Sequence, residues 1–568
     1  MKKIVKYTFV ALSVSLFSAC NDPETVPVQR VTEDIMWDQM DRNGQLAYWY
    51  VAEIYHHLPD GFNRINGDYL DTGTDEAIPS RRNVNPSVEF YNNGRVSVLN
   101  NPDPYWGNSY TGIRKVNLFL ANVDKVPVHT DGSNAPERVF WKAEARFIRA
   151  MMYFELLKRY GGVPLVGDKV FTLQDNLELP RNTFEEVVNY IVSELDAVKD
   201  LLRKEPIADG FWGRIPRGAA IALKNRVYLY AASPLFNGGG ISEDPQLKAL
   251  TGYVNADPDR WDRVIQSAEE FMALGHYSLH PTFQGVFTAK KNNEVILQKQ
   301  RGNNRWVEED NSPVGYQSAQ VRALGLTSPT QNFVNAFTDI NGLPITDPAS
   351  VYDPNNPYAN RDPRFQESVF YNGVRWLNRP VETFDGGRDR PGGIQVQTRT
   401  GYYLRKFMGS FANSSAFSDQ SHNFTIIRFA EILLNYAEAL NEVGRTEEAV
   451  DQIKRIRQRA GIRAGTDSRY GIKAGISQSE MRDLIKNERR VELAFEEHRF
   501  WDLRRWKDAP EALDGPVQGV RITRNADGTF TYTYEDVANF VFTPKLYHMP
   551  LPFSEVTKNL NLIQNPGW

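Results

Sequence analysis

Amphipathic helical stripes that come in pairs constrain this chain more than any other feature. Phe147, Ala150, Phe154 and Leu157 recur at steps of three or four residues, and Gly161-Gly162 and Pro164 close the stripe. A second stripe of Phe184, Val187, Ile191, Leu195, Val198 and Leu202 follows. It stands behind Thr183-Phe184-Glu185-Glu186, a capping box with a Thr N-cap and Glu three residues on. The arrangement returns as Ala220, Leu223, Val227 and Ala231, then Val264, Ala268 and Phe271 behind Asp257-Pro258. It returns again as Phe429, Leu433, Tyr436 and Leu440, through Gly444 to Ala449, Ile453, Ile456 and Ala460. A looser pair joins Ile35–His57 to Tyr105–Val123. A helix–turn–helix of this kind cannot bury its apolar face alone, so the pairs must stack on one another.

The expected fold is therefore mainly α, a scaffold of TPR-like helical hairpins. Ala437, Ala439 and Ala449 put small side chains where paired helices approach closely. The spacing between pairs is uneven, so insertions interrupt the repeats. Irregular stretches at roughly 60–104, 233–258, 281–328 and 341–420 are rich in Asn, Asp, Gly, Pro and aromatics. Loops of that length in a compact protein are functional or disordered, and the aromatics argue for order. A few short β-strands are expected among them and beyond, at Glu294–Leu297 and at Phe530–Tyr534 after Asp527-Gly528.

The N-terminus reads as an address. Lys2, Lys3 and Lys6 precede a largely apolar run, Tyr7–Phe17, too short to span a bilayer but suited to a signal-peptide core. Ser18-Ala19-Cys20 then resembles a bacterial lipobox, although Phe17 stands where Leu is usual. Cys20 is the only Cys of 568 residues, and it is read as the lipidation site. Residues 1–19 would be the signal peptide, and 20–33 a polar tether on an anchor of several acyl chains. A single Cys excludes an intrachain disulfide and any multi-Cys metal site. With a net charge of −4 and no strongly basic stretch, no nucleic-acid partner is expected.

Catalytic chemistry has no clear carrier: no HExxH, P-loop or GxSxG occurs. His56-His57 reads as an interfacial surface rather than a metal site. Glu488, Glu492 and Glu496 lie on one row of a helix reaching Arg499, among Arg489 and Arg490. A glycosidase needs two carboxylates facing each other across a sugar, so this row is read as a structural ion-pair network. No catalytic residue, metal or cofactor is expected.

Several blocks, in order, resemble the SusD/RagB family of surface lipoproteins. They are Ala143-Glu144-Ala145-Arg146-Phe147 through Tyr160-Gly161-Gly162-Val163-Pro164, and Gly213-Arg214 with Ala219–Lys224. Arg361-Asp362-Pro363-Arg364-Phe365 and Gly401-Tyr402 with Lys406-Phe407 follow. Asn487-Glu488-Arg489-Arg490 through Asp502-Leu503-Arg504-Arg505-Trp506, then Met549-Pro550-Leu551-Pro552 and Gln564–Trp568, complete the series. Trp568 stands where Tyr or Phe is commoner. The resemblance implies a helical region over 34–280 and a C-terminal region over 281–568, intertwined as one globular unit. It implies four TPR-like pairs in a right-handed scaffold with the irregular segments packed against it. It also implies a role without catalysis: capture of glycans, or of peptides in the RagB branch, at the outer membrane. The partner implied is a SusC-like TonB-dependent transporter, which the protein would cap as a hinged lid.

The resemblance places ligand contacts in two loops. The first carries Thr74-Asp75-Glu76 with Asp71 just before it, then Arg81, Asn83 and Tyr91. Arg81-Arg82-Asn83 stands near a place where the family often has Trp, which hints at an anionic or highly hydroxylated ligand. The second loop offers Gln300, Arg301, Asn304 and Trp306. Trp306 is the leading contact because Asn303, Asn304, Arg305 and Glu308 around it are all polar, whereas Trp106 begins a helix and should pack. Flat aromatic faces cover the C–H patches of a sugar, and polar side chains take up its hydroxyls. The expected function is that of a non-catalytic, cell-surface oligosaccharide-binding lipoprotein that delivers ligand to the transporter. The alternatives are a peptide-binding uptake lipoprotein, and a surface enzyme or assembly scaffold.

Overall fold

The computed structural model describes residues 33–81, 85–128, 137–392 and 397–568. The signal peptide, Cys20, the tether up to residue 32, and Asn83 lie outside the described residues. The capping box forms as its residues dictate: Glu186 N donates to Thr183 Oγ1 (3.2 Å), and Thr183 N donates to Glu186 Oε2 (2.7 Å). The helix it starts is one of ten that build the scaffold among the described residues. They are α1 (Gln45–Tyr55), α2 (Tyr105–Asn122), α3 (Glu137–Tyr160), α4 (Phe184–Val198) and α5 (Arg217–Ala232). The rest are α6 (Arg260–Met272), α7 (Phe429–Glu442), α8 (Thr446–Ala460), α9 (Gln478–Glu492) and α10 (Arg499–Arg505).

All four expected pairs pack: α1 on α2, α3 on α4, α5 on α6, and α7 on α8. Successive pairs join through α2–α3, α4–α5 and α6–α7, and α9 continues the stack against α7. The central α3 is buried on every side from Ala143 on, save Arg146, because α2 and α4 flank it. The first pair differs from expectation. The stripe from Ile35 to His57 breaks at Gly44, whose left-handed φ of 61° would set a Cβ 2.8 Å from Val128. His57 is buried rather than interfacial, with Nδ1 3.2 Å from Asn108 Oδ1 on α2.

Short antiparallel ladders tie the irregular segments together. They are β1 (Ala77–Pro79) with β4 (Thr327–Pro329), β2 (Val295–Lys299) with β6 (Phe424–Arg428), and β3 (Asn303–Asn304) with β5 (Gln420–Ser421). One of them, β2 with β6, lies against the stack. The strand expected from Phe530 runs on to Phe540 (β8), because β7 (Gly515–Arg524) supplies a full ladder beside it. The hydrophobic core runs without a break from Trp37 to Leu562, so the N- and C-terminal regions share it. Among the described residues, no helix is long and apolar enough to cross a membrane.

The carboxylate row is a buried ion network, as its pattern implies, with one difference of backbone. Helix α9 ends at Glu492, and Phe495 and Glu497 turn through φ of 58° and 63°. Glu496 therefore reaches the network from a turn rather than from the helix. Arg428, at the end of β6, binds Glu294 (2.7 Å), Glu492 (2.6 Å) and Glu496 (2.7 Å). Arg364 joins Glu488 (2.7 Å) to Glu492 (2.9 Å), and Lys406 donates to Glu496 (2.8 Å) and to the carbonyls of Glu492 and Ala494. Burial opposes ionisation of Glu492, but Arg459, Arg428 and Arg364 outweigh it and hold the carboxyl well below the usual range.

Candidate functional site

The first loop is shaped by the dipeptide Asn66-Gly67. Both residues take positive φ, 51° and 93°, as a two-residue hairpin turn requires, and Ile65 pairs with Asp68 across it. The turn aims Asp68 and the Asn66 carbonyl at Arg81. Pairing of β1 with β4 delivers Arg81 from the other side: Ser80 N donates to Leu326 O (2.8 Å), and the Ser80 and Ser328 hydroxyls bond at 2.7 Å. Arg81 Nη2 bonds both Asp68 and Asn66 O, the latter at 3.0 Å. Burial pushes the Asp68 carboxyl up to about 7, against the pull of Arg81.

Arg81 opens onto a cleft of about 600 Å³ that sequence reasoning did not foresee. Its other walls are Asn85 and Glu89, Arg399, and the hairpin residues Arg521 and Glu535. Arg399 is held by Glu89 (2.7 Å) and Pro79 O (3.1 Å), and Arg521 by Asp385 (2.8 Å). Each guanidinium is thus fixed by a carboxylate through some of its N–H groups, while lining the cleft. Gly519 lets the hairpin come close, since a Cβ there would fall 2.7 Å from the Thr400 backbone. The alternating pattern of β8 was a signal for the hairpin; nothing in the sequence alone ties Arg399 or Arg521 to Arg81.

Other first-loop candidates are turned inward. Asp71 is fully buried and both its carboxylate oxygens lack hydrogen-bond partners, so it presents nothing to a ligand in solution. Burial, then Glu76 and Glu497, lift its carboxyl well above the usual range. Tyr91 is 1% exposed, gives its hydroxyl to Asn101 (2.9 Å) and packs on Phe500, so it too is a packing residue. Asp75 clamps the loop to the scaffold, bonding Arg490 (2.8 Å) and Arg499 (2.9 Å). The acidic segment is therefore an anchor.

These environments predict opposite mutational outcomes. Neither Asp71 carboxylate oxygen has a hydrogen-bond partner among the described residues, so Asp71→Asn breaks no contact and should change unfolding free energy by less than about 1 kcal/mol. Asp75→Asn strips two partly buried arginines of their charge partner and should cost about 2 kcal/mol or more, by urea titration. Glu76 adds a pH signature. Burial raises its carboxyl from 4.5 to about 7. The folded state holds that proton after the unfolded chain has lost it, so this group lowers stability as pH rises from about 4.5 to about 7. Glu76→Gln lacks the effect, so its stability relative to the parent protein should climb across that window and level off above it.

The second-loop candidates form their own patch. Arg301 lies over Trp306 (4.7 Å) and Phe62 (5.3 Å) and is paired with Asp60. Half-buried Trp306 meets Phe62 edge-on at 5.2 Å, and Asn304 Oδ1 accepts from Trp306 N (3.3 Å). Gly61 makes room for this, because a Cβ there would lie 2.1 Å from the Phe424 ring. Gln300 is turned toward Gly213 and accepts from Asn423 (3.3 Å). Arg301, Asn304 and Trp306 are thus brought together, but none of them lines the Arg81 cleft.

The fold of this chain matches those of solved SusD-like proteins. The crystal structure of one from Bacteroides fragilis is 28% identical, with a TM-score of 0.76 over 95% of this chain and 99% of that one. A second B. fragilis structure, described as a SusD-like carbohydrate binding protein, has a TM-score of 0.71 at 23% identity, over 93% of this chain and 100% of that one. A SusD-like protein of Formosa agariphila is 25% identical over 100% of both chains. Family models match residues 34–229, described as "Starch-binding associating with outer membrane", and residues 293–568, described as the SusD family. The chain belongs to the SusD/RagB family.

Proposed function

We propose that this protein is a non-catalytic oligosaccharide-binding lipoprotein of the outer membrane, anchored through Cys20 and exposed at the cell surface, which passes its ligand to a SusC-like TonB-dependent transporter. The observation that carries the reading is the cleft at Arg81. It has the size of a small-ligand site, and its walls offer the fixed donors and acceptors that hydroxyl groups need. Of its carboxylates, Glu89 and Asp385 are engaged with arginines, which leaves Glu535 as a single carboxylate unpaired among the described residues rather than the facing pair that acid and base work across a glycosidic bond requires. The carbohydrate-binding description of a structural relative and the starch-binding description of the N-terminal family model support the same ligand class. Arg301, Asn304 and Trp306 are assigned to an outlying contact patch for the same chain of sugars.

Screening the purified protein against oligosaccharides and peptides tests this reading. Saturable oligosaccharide binding without product release is expected; response to peptides alone, or cleavage of any glycan, would overturn it. Within the reading, Trp306→Ala should weaken oligosaccharide binding about 2- to 10-fold, the worth of one aromatic or cation–π contact, by calorimetric titration. Unchanged affinity would remove the patch from the site.

A further inference from the structure

A second pocket lies in the helical stack itself. It encloses about 200 Å³ among the end of α5, α6, α7, α9 and the residue after α10. We propose that it is a separate binding site for one neutral pyranose residue. None of its lining residues belongs to the Arg81 cleft or to the Trp306 patch, so the inference does not depend on the assignment of either.

Two indoles are among the lining residues, and they differ. Trp506 is a fixed wall: its N–H donates to Glu438 (2.7 Å), and Arg505 and Lys486 sit over its ring at 4.5 and 5.3 Å. Trp261 has no aromatic or cationic group against its ring among the described residues, and its indole N–H makes no hydrogen bond there. Ile485, Ala232 and Pro234 add apolar atoms to the lining. Trp261 is 9% exposed and part of the core, so what it offers the cavity is the part of its indole that lines it, an apolar edge against which the C–H groups of a sugar ring can pack.

The rim selects against charge. Glu442 is bound in bidentate fashion by Arg482 (2.6 and 2.8 Å), and Lys486 by Asp508 (2.6 Å). Every charge at the mouth is thus matched, which favours neither an anion nor a cation. What is left over is hydrogen-bonding capacity of both signs. Arg482 Nη1 and two Lys486 hydrogens can donate, and the Glu442 carboxylate has lone pairs beyond those Arg482 uses. A ring edged with hydroxyls uses both. The volume is below the 300–1,000 Å³ of drug-sized pockets, so it admits one ring rather than a chain of them. Affinity for so small a ligand should be in the millimolar range, about −4 kcal/mol.

The test uses the whole protein labelled with 5-fluorotryptophan. It has 11 Trp, and the Trp261 signal is assigned by its loss in Trp261→Phe. The methyl glycosides of glucose, galactose, mannose and N-acetylglucosamine are each titrated to about 50 mM, a ceiling set by the expected affinity. At least one should shift the Trp261 ¹⁹F resonance saturably. Glu442→Gln, a rim change that spares the indoles, should weaken that response at least about threefold, the loss of one modest hydrogen bond. Arg81→Ala should leave it intact. Four results would overturn the proposal: no shift with any glycoside, an equal shift with cyclohexanol, a shift only with N-acetylated aromatic amino-acid amides, or loss of the response in Arg81→Ala. Failure of the oligosaccharide screen with a positive Trp261 response would count against the loop cleft alone.

Discussion

Arg428→Met should lower unfolding free energy by about 3–5 kcal/mol, seen as a large fall in the urea midpoint. Removing this guanidinium leaves Glu294, Glu492 and Glu496 buried with too little positive charge nearby. Arg364, Arg459 and Lys406 contact the same carboxylates but are already engaged. Arg445→Ala provides the contrast. Its pair with Glu448 is half exposed on the scaffold surface, so its loss should cost about 1 kcal/mol or less. Equal midpoints for the two variants would show that the buried network does not bind the loop half to the stack.

Arg81→Ala should have the largest effect on ligand capture. A hydrogen bond to a charged group is worth about 1.5–3 kcal/mol, so oligosaccharide affinity should fall about 10- to 100-fold by calorimetry. The fold should survive, because Asp68 is already pushed up to about 7 and can take a proton when its partner goes. Arg81→Lys should lose nearly as much, since an ammonium cannot bond Asp68, the Asn66 carbonyl and a ligand with one planar fork. Undiminished affinity in a folded Arg81→Ala protein would move the binding site elsewhere.

The scaffold was legible because its signals are local. The stripe from Phe184 and the box at Thr183 need no other part of the chain to be read, and both appear where their spacing puts them, except that the helix ends at Val198 and Leu202 falls beyond it. The carboxylate row was legible as a structural network by its charge pattern, although the turn after Glu492 was not, since nothing in Leu493–Glu497 demands positive φ. The loop site was only half legible. Arg81 stood out as a cation where a ring was expected, and it does face a cleft. Asp71 and Tyr91 look in sequence like loop residues free to meet a ligand. Their burial depends on partners such as Phe500, hundreds of residues away. Arg399 and Arg521 were missed for the same reason: proximity set by long-range ladders leaves no mark on either segment alone.

That dependence bears on the order in which the molecule can assemble. A ribosome releases the segment around Arg81 long before it makes Thr327–Pro329, the strand that β1 pairs with, and longer still before Arg490 and Arg499, which hold Asp75. Contacts of such separation close late and slowly. The α3–α4 hairpin can mature early on its own local contacts, while the Arg81 cleft comes into being only when nearly the last tenth of the polypeptide, with β7 and β8, has arrived.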